Sequence, residues 1–147
     1  MSMDTQSNTR VGDLQAVALE ELTGKEGRLV LLSIDDDVVG CQLPDALTNR
    51  VPYVLVEGGA ATESCRIRPM DPSQNVRLYL AGASVVPGDA LALADHSGDA
   101  TKQGKVNKLP TGAGTYRVVA IAEEEADAGA LVLCRPFSEV IVVAGQQ

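Results

Sequence analysis

The stretch Val86–Phe137, VPGDALALADHSGDATKQGKVNKLPTGAGTYRVVAIAEEEADAGALVLCRPF, decides how the chain folds. Short apolar runs alternate there with turns rich in Gly, Pro, Asp and Ser, the pattern of antiparallel strands joined by tight loops. Ala90 to Ala94 is one apolar run, Tyr116 to Ala122 a second built on Val118, Val119 and Ile121, and Leu131 to Cys134 a third. Each has strand length and lies between turn residues. No reaction centre is visible in the stretch, which reads as scaffold.

Upstream, Leu29 to Leu32 with Ile34 is a strand, Asp35, Asp36 and Asp37 form a charged turn, and Val38 to Leu43 resumes, together a hairpin. Tyr53 to Val56 is a further apolar run that ends at Gly58 and Gly59. Val76, Leu78 and Leu80 alternate with Arg77 and Tyr79, which predicts a half-buried strand. Leu14, Val17, Ala18 and Leu22 instead recur at three- and four-residue spacing, with Asp13 placed as N-cap and Gly24 as stop. That spacing predicts one short N-terminal helix, which packing on the sheet would have to stabilise. Residues 1–12, polar and without an apolar face, read as a flexible arm ahead of a single β-rich domain over 13–147.

The two halves echo each other. Gly27 followed by Leu29, Val30 and Leu31 is matched by Gly88 followed by Ala90, Leu91 and Leu93. Tyr53 with Val54 and Leu55, then Cys65 and Arg66, is matched by Tyr116 with Val118 and Val119, then Cys134 and Arg135. The spacings drift, so two readings stand side by side: a diverged duplication of one β-unit, or chance similarity among β-rich segments.

Composition narrows the function classes. With three Tyr, one Phe and no Trp, the core must be built from Val, Leu, Ile and Ala, which suits pleated sheets. A net charge of −8 would repel phosphate, so direct binding to nucleic acid is not expected. Cys41, Cys65 and Cys134 form no CxxC and no Cys/His pair at metal spacing. They read as small core hydrophobes of a protein made in a reducing host cytoplasm. No apolar run reaches the ~20 residues of a membrane span, and no signal peptide opens the chain, so neither membrane nor secretory route is expected.

Each candidate for chemistry has a plainer reading. His96, the single histidine, sits in the polar turn ADHSGDA and reads as a solvated loop residue; flanking Asp95 and Asp99 offer oxygen ligands, but one His with two Asp in one loop is weak evidence for a metal. Asp35, Asp37 and Gly40 fit the first, third and sixth places of a calcium loop, but Val39 and Ala46 remove the fifth and twelfth ligands. Glu123, Glu124, Glu125 and Asp127 form an acidic turn that also suits docking of a basic partner. The TGAGT of Thr111–Thr115 lacks the Lys-Ser/Thr of a phosphate loop and leads into a strand. A PGD turn opening a strand also occurs in biotinyl and lipoyl carriers, yet neither Lys102 nor Lys105 has the required hairpin-tip setting. No catalytic, cofactor or metal residue is assigned.

The order PGDAL, GKV, LPTGAGTYRVVAIAEE and AGALVLCRP, preceded by ALEELTGKEGRLVLL and VPYVLVEGGAATESCRIRPM, resembles the capsid decoration, or cement, proteins of tailed bacteriophages. The resemblance spans Ala16 to Val143 and rests on turn glycines and apolar strands, not on catalytic motifs. It implies a mainly β barrel-like or sandwich domain that binds the major capsid protein on the outer surface of a mature head and stabilises it against packaged-DNA pressure. It also implies a homo-oligomer, a trimer on threefold positions being favoured. A cytoplasmic β-barrel binding a small ligand is the alternative class, and a hydrolytic enzyme ranks behind both. Arg10 and Val11, on the arm, are the candidate capsid contacts, anchoring against an acidic or apolar groove. Deleting residues 2–10 is expected to leave thermal stability nearly unchanged while weakening capsid association. Unchanged association in a sedimentation assay would reduce the arm to a tail.

Overall fold

Asp36 and Asp37 both take positive φ, 47° and 65°, as the tight two-residue hairpin loop requires. Asp tolerates that conformation better than most residues, so the acidic run turns the chain and joins β2 (Leu29–Asp35) to β3 (Val38–Gln42). The computed structural model describes residues 12–144, and Arg10 and Val11 lie outside them. The remaining strands are β1 (Leu14–Ala18), β4 (Tyr53–Glu57), β5 (Ser64–Pro69), β6 (Val76–Tyr79), β7 (Ala90–Leu93), β8 (Val106–Lys108), β9 (Gly114–Ala122) and β10 (Leu131–Val143). A single 3-10 turn, Ala100–Lys102, is the only helical element among the described residues.

The expected N-terminal helix is therefore a strand. β1 pairs parallel with β3, Val17 opposite Gly40, and antiparallel with β5, Leu14 opposite Ile67. It closes a barrel of order β1-β3-β2-β4-β5. An isolated helix of ten residues would gain little, whereas a strand here removes the two open edges of the sheet. Asp13 caps nothing. It accepts from Arg68 Nε and Nη2 at 2.8 and 3.2 Å, tying the entry of β1 to β5.

A second sheet follows in the order β6-β10-β9-β7-β8, and an isolated parallel bridge, Leu80 to Val106, nearly closes it. Its connectivity repeats that of the first barrel strand for strand. In each unit the first strand runs antiparallel to the fifth and meets the third in parallel. The backbone bonds match too. Gly27 N–H donates to Leu55 O and Gly88 N–H to Ala122 O, both at 2.9 Å. Leu22 N–H donates to Gly59 O and Val85 N–H to Ala126 O, again both at 2.9 Å. The echo is thus a true correspondence in register for Gly27 with Gly88, Leu29 with Ala90 and Val30 with Leu91, while the counterpart of Leu93 is Leu32 and not Leu31. The second echo is displaced: Tyr53 faces Val30 as Ala120 faces Leu91, so the counterpart of Tyr53 is Ala120 and not Tyr116. Likewise Cys65 faces Ala16 as Val132 faces Leu78, so Cys134 is not the counterpart of Cys65.

The first barrel is filled by Leu22, Val30, Cys41, Leu43, Leu55 and Ile67. The next residues along β2 and β4 point the other way: Leu29 and Val54, a cross-strand pair, belong to the second cluster with Leu78, Leu80, Leu91 and Val106. Burial of both faces explains the near-continuous apolar run of β2 at its start. Backbone bonds cross the same seam, from Leu29 N–H to Gly104 O at 2.8 Å and from Tyr79 N–H to Gly27 O at 3.0 Å. Gly104 is obligatory there, because its φ is +78° and a Cβ would stand 2.9 Å from the Leu29 carbonyl oxygen.

The repeat exposes one strained residue. Thr62 N–H donates to Ala18 O as Gly129 N–H donates to Leu80 O, and both residues have left-handed φ, 73° and 83°. A β-branched residue pays for that conformation with about 1–2 kcal/mol that glycine avoids. Thr62 is exposed, so removing its side chain leaves no cavity. Thr62→Gly is expected to raise the unfolding free energy by about 1 kcal/mol, and Gly129→Thr to lower it by a similar amount or more. Denaturant midpoints measure both, and a fall for Thr62→Gly would contradict the strain.

Candidate interaction surface

Beyond Cys134 the last strand outruns its sheet. β6 pairs with β10 only over Leu131–Cys134, and β7 pairs with β9 only over Val118–Ile121. After a register shift between Pro136 and Glu139, β10 continues with β9 alone, Val140 opposite Arg117 and Val142 opposite Thr115. The result is a two-stranded ribbon whose outer edges pair with no other strand among the described residues. It carries exposed apolar groups: Phe137 is 46% exposed, Val140 55% and Val142 73%. The run EVIVV is rich in β-branched residues, and that was the sequence signal for this extension.

A groove of about 530 Å³ opens at the root of the ribbon, floored by Val51, Met70 and Val119 and walled by Phe137, with Arg50 and Arg117 in its lining. Neither arginine has an ion-pair partner among the described residues, whereas Arg66, Arg68, Arg77 and Arg135 are all paired. Glu139, the ribbon's own acid, faces Val118 and so alternates to the side opposite Arg117. A second groove, about 410 Å³, lies between Gly27, Tyr79 and Leu131. Its cations are engaged, Arg68 with Asp13 and Arg77 with Glu124 at 3.0 Å.

The β2–β3 hairpin tip is the other exposed apolar feature. Ile34 is 69% exposed, Val39 59%, Val38 44% and Leu32 40%, and Asp35, Asp36 and Asp37 crown them. By register Leu32, Ile34 and Val39 share one face of the hairpin and Val38 lies on the other, and exposed apolar surface of this kind marks interaction sites on soluble proteins.

The groups that chemistry would use are engaged otherwise. Asp95 accepts from Ser97 N–H and Asp99 from Thr101 N–H and Oγ1, and these bonds hold both carboxyls below the usual range. His96 sits between them in the turn before the 3-10 segment. Among the described residues no group of three or more His, Cys, Asp or Glu is gathered to hold a metal ion. Glu123 pairs with Arg135 at 3.1 Å, so two acids of the Glu123–Asp127 run are tied within the chain. Lys105 Nζ lies 5.5 Å from the Tyr79 ring centroid within the second unit, and desolvation lowers its pKa. Gly112 and Ala113 form the bend before β9, and Tyr116 Oη donates back to Gly112 O at 3.0 Å. All three cysteines are buried free thiols. Cys41 and Cys65 Sγ lie 2.6 Å apart, burial pushes the Cys41 thiol up, and burial pushes Cys134 up to about 12. Such thiols hold little thiolate at neutral pH. The Arg68 guanidinium, bonded to both Asp13 oxygens, holds that carboxyl below its ordinary value. Among the described residues no helix is long and apolar enough to cross a membrane.

No family model matches the chain, and no curated protein matches it. Among solved structures the fold is similar to the N base of head fiber gp8.5 of bacteriophage phi29. The alignment covers 85% of this chain and 92% of that one at 22% sequence identity, with a TM-score of 0.61. At that identity the likeness is one of fold.

Proposed function

We propose that this protein is a structural component of a bacteriophage head: it binds the outer surface of the mature shell through the major capsid protein and strengthens it against packaged DNA. The supporting observation is the fold likeness to a head-fiber base over nearly that whole chain, 92% of it. The sequence resemblance to decoration proteins points the same way. In this reading the protein acts by binding, without a cofactor, as a homo-oligomer with a trimer favoured. It is made in the host cytoplasm and ends on the virion exterior.

The small-ligand alternative finds less support, because Leu22, Leu43, Leu55 and Ile67 fill the first barrel where a ligand would sit. Surface docking instead uses what the fold leaves outside: the apolar ribbon, the groove at its root and the hairpin tip. A bound subunit stabilises a shell only by differential affinity, so it must bind the expanded lattice better than the precursor. Several copies held together make later contacts effectively intramolecular, and retention then needs no single strong contact.

Purified protein mixed with undecorated mature heads and with precursor shells tests the reading. Preferential cosedimentation with mature heads and a higher temperature of DNA release are expected. Equal binding to both shells, or binding without a change in release temperature, would count against a stabilising role.

A further inference from the structure

We propose that copies of this chain assemble head to tail, the β2–β3 hairpin tip of one copy seated in the Arg50/Arg117 groove of the next. This deepens the oligomeric part of the function proposed above and names the surface that carries it.

The two features are complementary in charge and alike in being apolar. The tip carries Asp35, Asp36 and Asp37, none with a cation in ion-pair range among the described residues, and the groove carries Arg50 and Arg117, which likewise lack an ion-pair partner among them. In a chain of net charge −8, these two arginines beside an apolar floor are a distinctive target for an acidic, apolar segment. Ile34 and Val39 form a cross-strand pair, 69% and 59% exposed, directly behind the acidic turn. Ten large hydrophobics are exposed among the described residues; four of them lie on this hairpin and one, Phe137, walls the groove.

The occupant is a second copy and not the same chain, because no residue of β2 or β3 lines the groove and the tip stays exposed within its own molecule. Burial of Ile34 and Val39 against Val51, Met70 and Phe137 supplies the apolar drive. Asp–Arg pairs at the rim fix the register, each contributing modestly where water still reaches. The hairpin is pre-shaped by its two left-handed residues, so little order is lost on docking. Since donor and acceptor patches differ, the contact is heterologous, and it closes into a ring when the rotation between copies permits.

Two variants of the full chain test this. One combines Asp35→Arg, Asp36→Asn and Asp37→Gly, reversing the tip's charge while keeping residues suited to the turn; the other combines Arg50→Glu and Arg117→Glu. Native mass spectrometry and light scattering are expected to show an oligomer for the unaltered protein and association weakened about tenfold or more in each variant, with unchanged thermal melts. Mixing the two variants restores the native contact in one direction and sets the Asp35→Arg side chain against the two introduced glutamates in the other, so the variants are expected to associate with each other. Should the tip combination melt early, Ile34→Glu replaces it as the tip variant, and should the groove combination do so, Arg117→Glu alone replaces it, each with weakened association expected. A monomeric unaltered protein would overturn both this contact and the oligomeric reading. An oligomer indifferent to both variants, or a mixture that stays monomeric, would overturn the contact alone. The head-binding reading stands or falls separately by sedimentation with shells.

Discussion

A five-stranded unit of this connectivity closes only when its first strand lies between the third and the fifth, parallel to one and antiparallel to the other. Both halves of the chain meet that constraint, β1 between β3 and β5, and β6 between β10 and the Leu80–Val106 bridge. Closure removes the sheet edges that short strands would otherwise expose to other chains. It also sets which residues face inward, and so divides the apolar side chains between a barrel interior and a seam. Leu29 and Val54 belong to the seam cluster because Val30 and Leu55 are committed to the interior of the first barrel.

Local signals were legible wherever turn chemistry and strand pattern agree. The acidic turn at Asp36 and Asp37, the PGD turn before β7 and the alternation through β6 all appear as the residues require. The repeat was legible in one place, Gly27 with Gly88, because a backbone donor in left-handed conformation recurs there. It was misaligned elsewhere, since Tyr53 and Tyr116 share a residue type but not a register. β1 escaped because Leu14, Val17 and Ala18 suit a helix face as well as a strand, and the partners that decide the matter lie far along the chain. β8, with only Val106 apolar among its three residues, has no pattern to read.

The interaction surface was less legible than the fold. Charge alone marks Arg50 and Arg117 as ordinary surface residues. Their significance comes from folding, which pairs the arginines of β5, β6 and β10 with nearby acids and leaves these two beside Phe137. The ribbon likewise follows from where β6 and β7 stop, a feature of tertiary pairing that EVIVV does not state. What results is a body whose closed barrel and nearly closed second unit hold their apolar groups inside, while the ribbon and the hairpin tip expose theirs.

The most direct measurement of the central claim is an image reconstruction of mature heads incubated with the purified protein. The account predicts bilobed density on the outer face of the shell, each lobe sized for one five-stranded unit, at positions where capsid subunits adjoin. Heads whose outer surface carries no such density at saturating protein would contradict it.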